Sequence, residues 1–129
     1  MTMNILVVDD EADIQPLFKQ RFRKEIKSGE MKLHFALSGE EAVTYLASGA
    51  SEVVLILSDV NMPGMSGLEL LQHIRKSRST APPFVMMITA YGDETNYRRS
   101  MELGADDFLT KPLDFNLLKD KLKDLDAHG

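Results

Sequence analysis

The strongest constraint on this chain is an alternation: apolar runs of strand length take turns with segments of helical period along 129 residues. Ile5-Leu6-Val7-Val8 comes first, β-branched and unbroken by polar residues, which suits a strand covered on both faces. It stops at Asp9-Asp10-Glu11. Ile14, Leu17, Phe18, Phe22 and Ile26 then recur at spacings of three and four among Lys19, Gln20, Arg23 and Lys24, which predicts an amphipathic helix. Pro16 limits where that helix starts. A proline is tolerated only in the first turn, where the N–H groups have no intrahelical partner, so the helix is expected from near Ala12 to Ser28-Gly29.

The same unit repeats. Leu33 to Leu37 reads as a weaker strand, and Ser38 followed three residues on by Glu41 has the form of a capping box opening a short helix to Ala47. Val53 to Leu57 is the most strand-like run and it, too, finishes on an acid, Asp59. Asn61-Met62-Pro63-Gly64-Met65-Ser66-Gly67 is a loop by its proline and glycines. Leu68, Leu70, Leu71 and Ile74 mark the next helix, Phe84 to Ile88 the next strand, and Thr95 to Leu103 a helix closed by Gly104. Asp107 to Thr110 is a short last strand, Lys111-Pro112 a turn, and Leu113, Leu117, Leu118, Leu122 and Leu125 the stripe of a terminal helix.

Regular β-α alternation predicts an α/β fold: a five-stranded parallel sheet, doubly wound with helices on both faces in the flavodoxin-like manner, strand order 2-1-3-4-5. The length fits one hydrophobic core, and a composition of 43% hydrophobic and 27% charged residues excludes disorder and collagen-like repeats. A net charge of −5 opposes direct nucleic-acid binding. With no cysteine there is no disulfide framework, thiolate nucleophile or Cys-ligated zinc site. The first residues carry no positive charge ahead of their apolar run, so no signal peptide is read there, and no apolar stretch is long enough to span a bilayer. The expectation is a cytoplasmic protein without membrane insertion.

In such sheets ligands sit at the carboxyl ends of the strands, where strand order reverses. There the sequence places Asp9 and Asp10, Asp59, Thr89 and Lys111. Each has an ordinary explanation: acids at strand-to-helix junctions cap helices, Asp59 precedes a turn, and a lysine before proline is usually a surface residue. Together they are harder to explain so. Carboxylates brought within a few ångströms repel by roughly 4 kcal/mol per pair at an effective dielectric of 20, and Lys111 neutralises only one charge. A hard divalent cation with oxygen ligands would neutralise the rest.

Val7-Val8-Asp9-Asp10-Glu11, Leu57-Ser58-Asp59-Val60-Asn61-Met62-Pro63-Gly64-Met65-Ser66-Gly67, Thr89-Ala90 and Lys111-Pro112 together resemble the receiver domain of bacterial two-component response regulators, over Met3 to Leu125. The resemblance implies that Asp59 is the phospho-acceptor, that Asp10 binds Mg²⁺ directly and Asp9 through water, and that the backbone carbonyl of Asn61 is a further ligand. It also implies that Thr89 is the switch hydroxyl, Lys111 the counter-cation and Lys111-Pro112 a cis peptide. Phe108 takes the place where the family often has tyrosine, as a switch aromatic or as simple core packing. Asn61 and Tyr91 flank the route of hydrolytic water and are expected to tune the phosphoryl lifetime. The implied partners are a sensor histidine kinase, and a histidine phosphotransfer protein or downstream target on the face of the fourth helix, fifth strand and last helix. Arg98 and Arg99 lie beside that face, open to a target or to a homodimer.

The expected activity is self-phosphorylation and autodephosphorylation with no separate substrate, so not an enzyme in the ordinary sense. Two other classes remain in view. An aspartyl-phosphate phosphohydrolase would want an acid two residues beyond the nucleophile, where Asn61 stands. A binding module without phosphorylation would not need all five site residues. No G-x-G-x-x-G follows the first strand, against a dinucleotide site. His34, His73 and His128 have no metal-site spacing, the eight methionines read as core filler, and Lys19, Arg21, Arg23, Lys24 and Lys27 read as a solvated face or a kinase contact. The chain ends just past the last helix, so residues 1–129 are expected to form one receiver domain with no effector or DNA-binding domain.

Overall fold

The structure, a computed structural model, describes residues 2–48, 52–77 and 82–128, the last three by their backbone alone. Met1, Gly129 and the side chains of Asp126, Ala127 and His128 lie outside the described residues. The elements follow in the order β1 (Met3–Val8), α1 (Ile14–Arg21), α2 (Arg23–Lys27), β2 (Met31–Ala36), α3 (Gly39–Ala47), β3 (Leu55–Asp59), α4 (Gly67–Lys76), β4 (Phe84–Ala90), α5 (Glu94–Glu102), β5 (Asp107–Lys111) and α6 (Phe115–His128). The strands form one sheet with every pairing parallel, as the alternation predicts, and in the expected order β2-β1-β3-β4-β5.

Successive strand residues point to opposite faces, and this splits the core in two. Ile5, Val7, Leu55, Leu57, Met86, Ile88 and Leu109 meet Phe18, Phe22, Phe115, Leu118 and Leu122 on one side. Leu6, Val8, Ile56, Val85 and Met87 meet Ala42, Leu70, Leu71 and Ile74 on the other. Each of these side chains larger than alanine contributes about 1.5–3 kcal/mol by leaving water. On the first face Phe18 stands edge-on to Phe115, ring centroids 5.1 Å apart, and locks α1 to α6.

The single first helix of the sequence reading is two. At Phe22 the backbone turns to φ −107° and ψ 21°, although Phe22 N–H still reaches the Phe18 carbonyl (3.0 Å) and Ile26 N–H the Phe22 carbonyl (2.9 Å). Phe18 and Phe22 are both buried with their rings stacked, so packing bends the helix without severing it. Pro16 lies in the first turn of α1, as expected. The capping box also falls elsewhere: Ser38 accepts the Glu41 N–H, but the reciprocal pair among the described residues is Ser66 with Glu69 at the start of α4. Strand ends shift by a residue or two. β3 begins at Leu55 and includes Asp59, β4 includes Thr89, and β5 includes Lys111.

Candidate functional site

The register of the sheet assembles the predicted residues at the carboxyl ends of its strands. Val8 is level with Ser58, Asp59 with Ile88, and Ile88 with Leu109, so Asp9 leaves β1 beside the end of β3 and Lys111 stands two residues beyond Asp59's level. Asp59 is buried, 3% exposed, and Lys111 Nζ donates to its Oδ2 at 2.7 Å. Asp59 Oδ1 accepts the Asn61 N–H at 3.3 Å. Carboxylate oxygens of Asp9, Asp10 and Asp59 lie within 4.8 Å of one another. Asp9 is buried and its Oδ1 accepts the Glu11 N–H at 2.8 Å, while Asp10 and Asn61 face solvent.

The electrostatics follow from this crowding. Burial raises the Asp9 carboxyl above its ordinary value, the Glu11 N–H works against that, and the charge of Asp59 adds to the rise. Burial alone would lower the Lys111 ammonium, but its hydrogen bond to Asp59 and the charges of Asp59, Asp9 and Glu11 outweigh burial, so the net direction is upward. One ammonium against three carboxylates leaves an excess of negative charge. Hard oxygen donors in this number, three carboxylates from two strand ends, fit a small divalent cation.

The remaining predicted residues lie on β4, on β5 and on α5 and its approach. Thr89 is buried on β4, one residue past the position level with Asp59. Phe108 is half-buried on β5, its ring edge-on to Tyr97 of α5 at 4.4 Å between centroids. Tyr91 follows β4 directly and is 85% exposed. The Lys111-Pro112 peptide is cis. Arg98 and Arg99 are exposed on α5, Arg98 near Glu94 at 3.7 Å, beside the face made by α5, β5 and α6. Of the basic residues on the first helices, Lys19 and Arg21 lie over the rings of Phe35 and Phe115, at 5.6 and 5.5 Å, so packing against aromatic rings accounts for these two.

Three contributors escaped the sequence reading. Gly67 permits α4 to start hard against the backbone of Asp59. Glu40 reaches across from α3 to the loop after Asp59. Arg75 clamps the opposite, amino end of β4 and β5, donating to the carbonyls of Gly104 (2.9 Å) and Pro83 (3.0 Å) and to Asp106 (2.7 Å). A glycine at a helix start is the only one of these with a sequence signal; the other two depend on residues far apart in the chain.

Comparison with known proteins agrees with this geometry. The family model described as the response regulator receiver domain matches residues 5–123. The response regulator RppA of a Synechocystis strain is 37% identical over 110 residues, covering 85% of this chain and 44% of that protein, so the chain spans less than half of this relative's length. A putative response regulator from Chloroflexus aurantiacus superposes with a TM-score of 0.84 at 27% identity, over 98% of this chain and 99% of that one. The receiver domain of Saccharomyces cerevisiae Ssk1, solved with the histidine phosphotransfer signaling protein Ypd1, superposes with a TM-score of 0.78 at 28% identity, over 93% of this chain and 86% of that one. Among the described residues no helix is long and apolar enough to cross a membrane.

Proposed function

The chain belongs to the response regulator receiver family, and from that footing we propose that it is a phosphorylation switch of two-component phosphorelay signalling whose acceptor is Asp59. The donor is a phosphohistidine, on a sensor histidine kinase or a phosphotransfer protein. An Asp59 carboxylate oxygen forms a bond to phosphorus while the P–N bond to the donor imidazole breaks. The imidazole keeps the electron pair and takes a proton from solvent water, and the product is an acyl phosphate.

The observation that carries this reading is the 2.7 Å contact of Lys111 with Asp59 inside a three-carboxylate cluster. Lys111 holds the acceptor in place and puts positive charge where the transferring oxygens arrive. Domains of this family bind Mg²⁺ in an acidic pocket; Asp9, Asp10, Asp59 and the Asn61 carbonyl would hold it here, and when bound it supplies further positive charge to those oxygens. The protein acts on no separate substrate, and hydrolysis of its own acyl phosphate resets it.

Phosphorylation adds about −1.5 to −2 charges and three strong acceptor oxygens, giving the Thr89 hydroxyl a new partner. Thr89 is already buried. The switch is therefore a rotation of its hydroxyl toward the phosphoryl group, with Phe108, and Tyr97 packed on it, responding at the face of α5, β5 and α6 where a downstream target docks.

Intact-protein mass spectrometry after incubation with acetyl phosphate and Mg²⁺ tests the reading. One phosphoryl adduct is expected, absent with a chelator and absent in Asp59→Asn. If neither an adduct nor Mg²⁺-dependent binding of beryllofluoride is seen, the reading fails and a binding module without phosphorylation replaces it.

A further inference from the structure

The loop that leaves Asp59 is held from outside as well as by its own ends. At its base, Asn61 N–H reaches Asp59 Oδ1, and Gly67 N–H donates to the Val60 carbonyl at 2.9 Å. Val60 and Met62 are buried in the core beneath it. The far limb has a separate anchor. Met65 N–H donates to Glu40 Oε2 at 3.2 Å, from a residue 25 positions earlier in the first turn of α3. The two segments also fit closely: a β-carbon on Gly39 would lie 2.8 Å from Met65 Cγ, and one on Gly64 would lie 2.8 Å from the same Glu40 Oε2.

This limb needs an anchor. Gly64 sits at φ +72°, where it has no side chain to restrict it, and Met65 N–H precedes α4 and so has no partner within that helix. Glu40 meets the need with an ionised acceptor, and its place in the first turn of α3 is itself favoured by the positive end of the helix. A loop pinned at both limbs cannot rock about Asp59. The Asn61 peptide, whose own N–H is one pin and which lies four residues before the other, then has little room to turn.

We infer that Glu40 is a positioning residue for the phospho-acceptor site: by holding Met65 it fixes the loop of residues 60–66 against α3 and so aims the Asn61 carbonyl at the acidic cluster. The inference rests on the site reading above, which gives that carbonyl to the metal. It assigns Glu40 an effect on metal binding although its own carboxylate belongs to no part of the cluster.

The test compares wild type, Glu40→Ala and Glu40→Gln by NMR, reading Met65 amide exchange in metal-free protein and the Mg²⁺ dissociation constant from amide shifts. Glutamine keeps a carbonyl that accepts the same bond but removes the charge. Glu40→Ala is expected to speed Met65 exchange and weaken Mg²⁺ binding about fivefold, the scale of one net hydrogen bond, with glutamine restoring most of both. Unchanged exchange in Glu40→Ala overturns the tether. Faster exchange with unchanged Mg²⁺ affinity overturns its reach into the site, and a glutamine variant that behaves as alanine assigns the effect to charge. Absence of Mg²⁺ binding in the wild type would instead bring down the site reading, and this inference with it. Glu40 is exposed, and circular dichroism of both variants checks that the fold is intact.

Discussion

Gly67 is packed so closely on Asp59 that a β-carbon there would overlap the Asp59 carbonyl oxygen and come within 2.8 Å of the Val60 Cα. These are backbone atoms of Asp59 and of the residue after it, and they have no rotamer by which to give way. Gly67→Ala must therefore move the start of α4 away from β3, breaking the Gly67–Val60 hydrogen bond and loosening Leu70 and Leu71. The expected loss is about 3 kcal/mol, the upper end of the usual overpacking range, read by urea denaturation. A loss under about 0.5 kcal/mol, the scale of an ordinary surface change, would show that the helix start yields freely.

At the amino ends of β4 and β5 Arg75 joins three segments, and Asp106 extends the clamp by accepting the Val85 N–H at 2.8 Å. The Arg75 side chain is a quarter exposed, so its bonds are partly shielded from water. Arg75→Ala is expected to destabilise by about 2 kcal/mol, leaving the Gly104 and Pro83 carbonyls to water and Asp106 without its cation. Arg75→Lys should not restore this, because a point ammonium cannot serve three acceptors in a fixed fork. Full rescue by lysine would mean that charge alone does the holding.

The fold was legible in the sequence because its signal is periodic: strands buried on both faces read as unbroken apolar runs, and Phe18, Phe22, Leu118 and Leu122 carry the helical repeat. The site was legible for a related reason. Asp9, Asp10, Asp59, Thr89 and Lys111 each follow or close an apolar run, so predicting the sheet predicts their meeting. Local geometry was less so. Phe22 bends its helix under the packing of Phe18 and of Phe115, and Phe115 lies in no window of residues around it. Glu40 with Met65 and Arg75 with Asp106 pair across 25 and 31 residues, and an exposed Glu or Arg in isolation reads as solvated surface.

His34 gives stability an acid-side dependence. Burial, and then the charge of Lys32, hold its imidazole below the ordinary value of about 6.5. Its ring lies beside Tyr45, with Nε2 3.4 Å from Asn4 Oδ1. Neutral His34 is favoured in the folded state, so the unfolded chain takes up the proton first as pH falls. The contribution is present in full above the unfolded value and is lost as pH falls from there through the lowered folded value. His34→Gln should flatten the stability profile between neutral and mildly acidic pH relative to wild type, measured by denaturant titration at a series of pH values. Parallel profiles for the two proteins would exclude His34 as the source.

Mg²⁺ is expected to raise the stability of the wild-type protein, since an unfolded chain has no gathered carboxylates to bind it. At a concentration a hundred times the dissociation constant the gain is about 2.7 kcal/mol, reversed by a chelator. Asp59→Asn removes one ligand and should lose most of the gain. Thermal scans with and without Mg²⁺ decide it, and equal shifts in both proteins would place the ion elsewhere.

Tyr91 stands immediately after β4, two residues beyond Thr89, and is 85% exposed. So open a ring does little for the fold, and Tyr91→Ala should leave stability within about 0.5 kcal/mol of wild type. Its proposed work is at the mouth of the site. Hydrolysis of an acyl phosphate on Asp59 requires water in line with phosphorus, and the proposal is that the bulky Tyr91 ring obstructs that approach, which the small Ala90 beside it would not. Removing the ring should shorten the phosphoryl lifetime while leaving the rate of phosphorylation by acetyl phosphate almost unchanged, because the ring obstructs one reaction and supplies no group to the other. Decay of the phosphorylated protein, followed by mass spectrometry after removal of the donor, measures the first rate, and the rise of the adduct measures the second. An unchanged decay rate removes Tyr91 from lifetime control. A fall in both rates together would mean that the ring supports the loop that carries it.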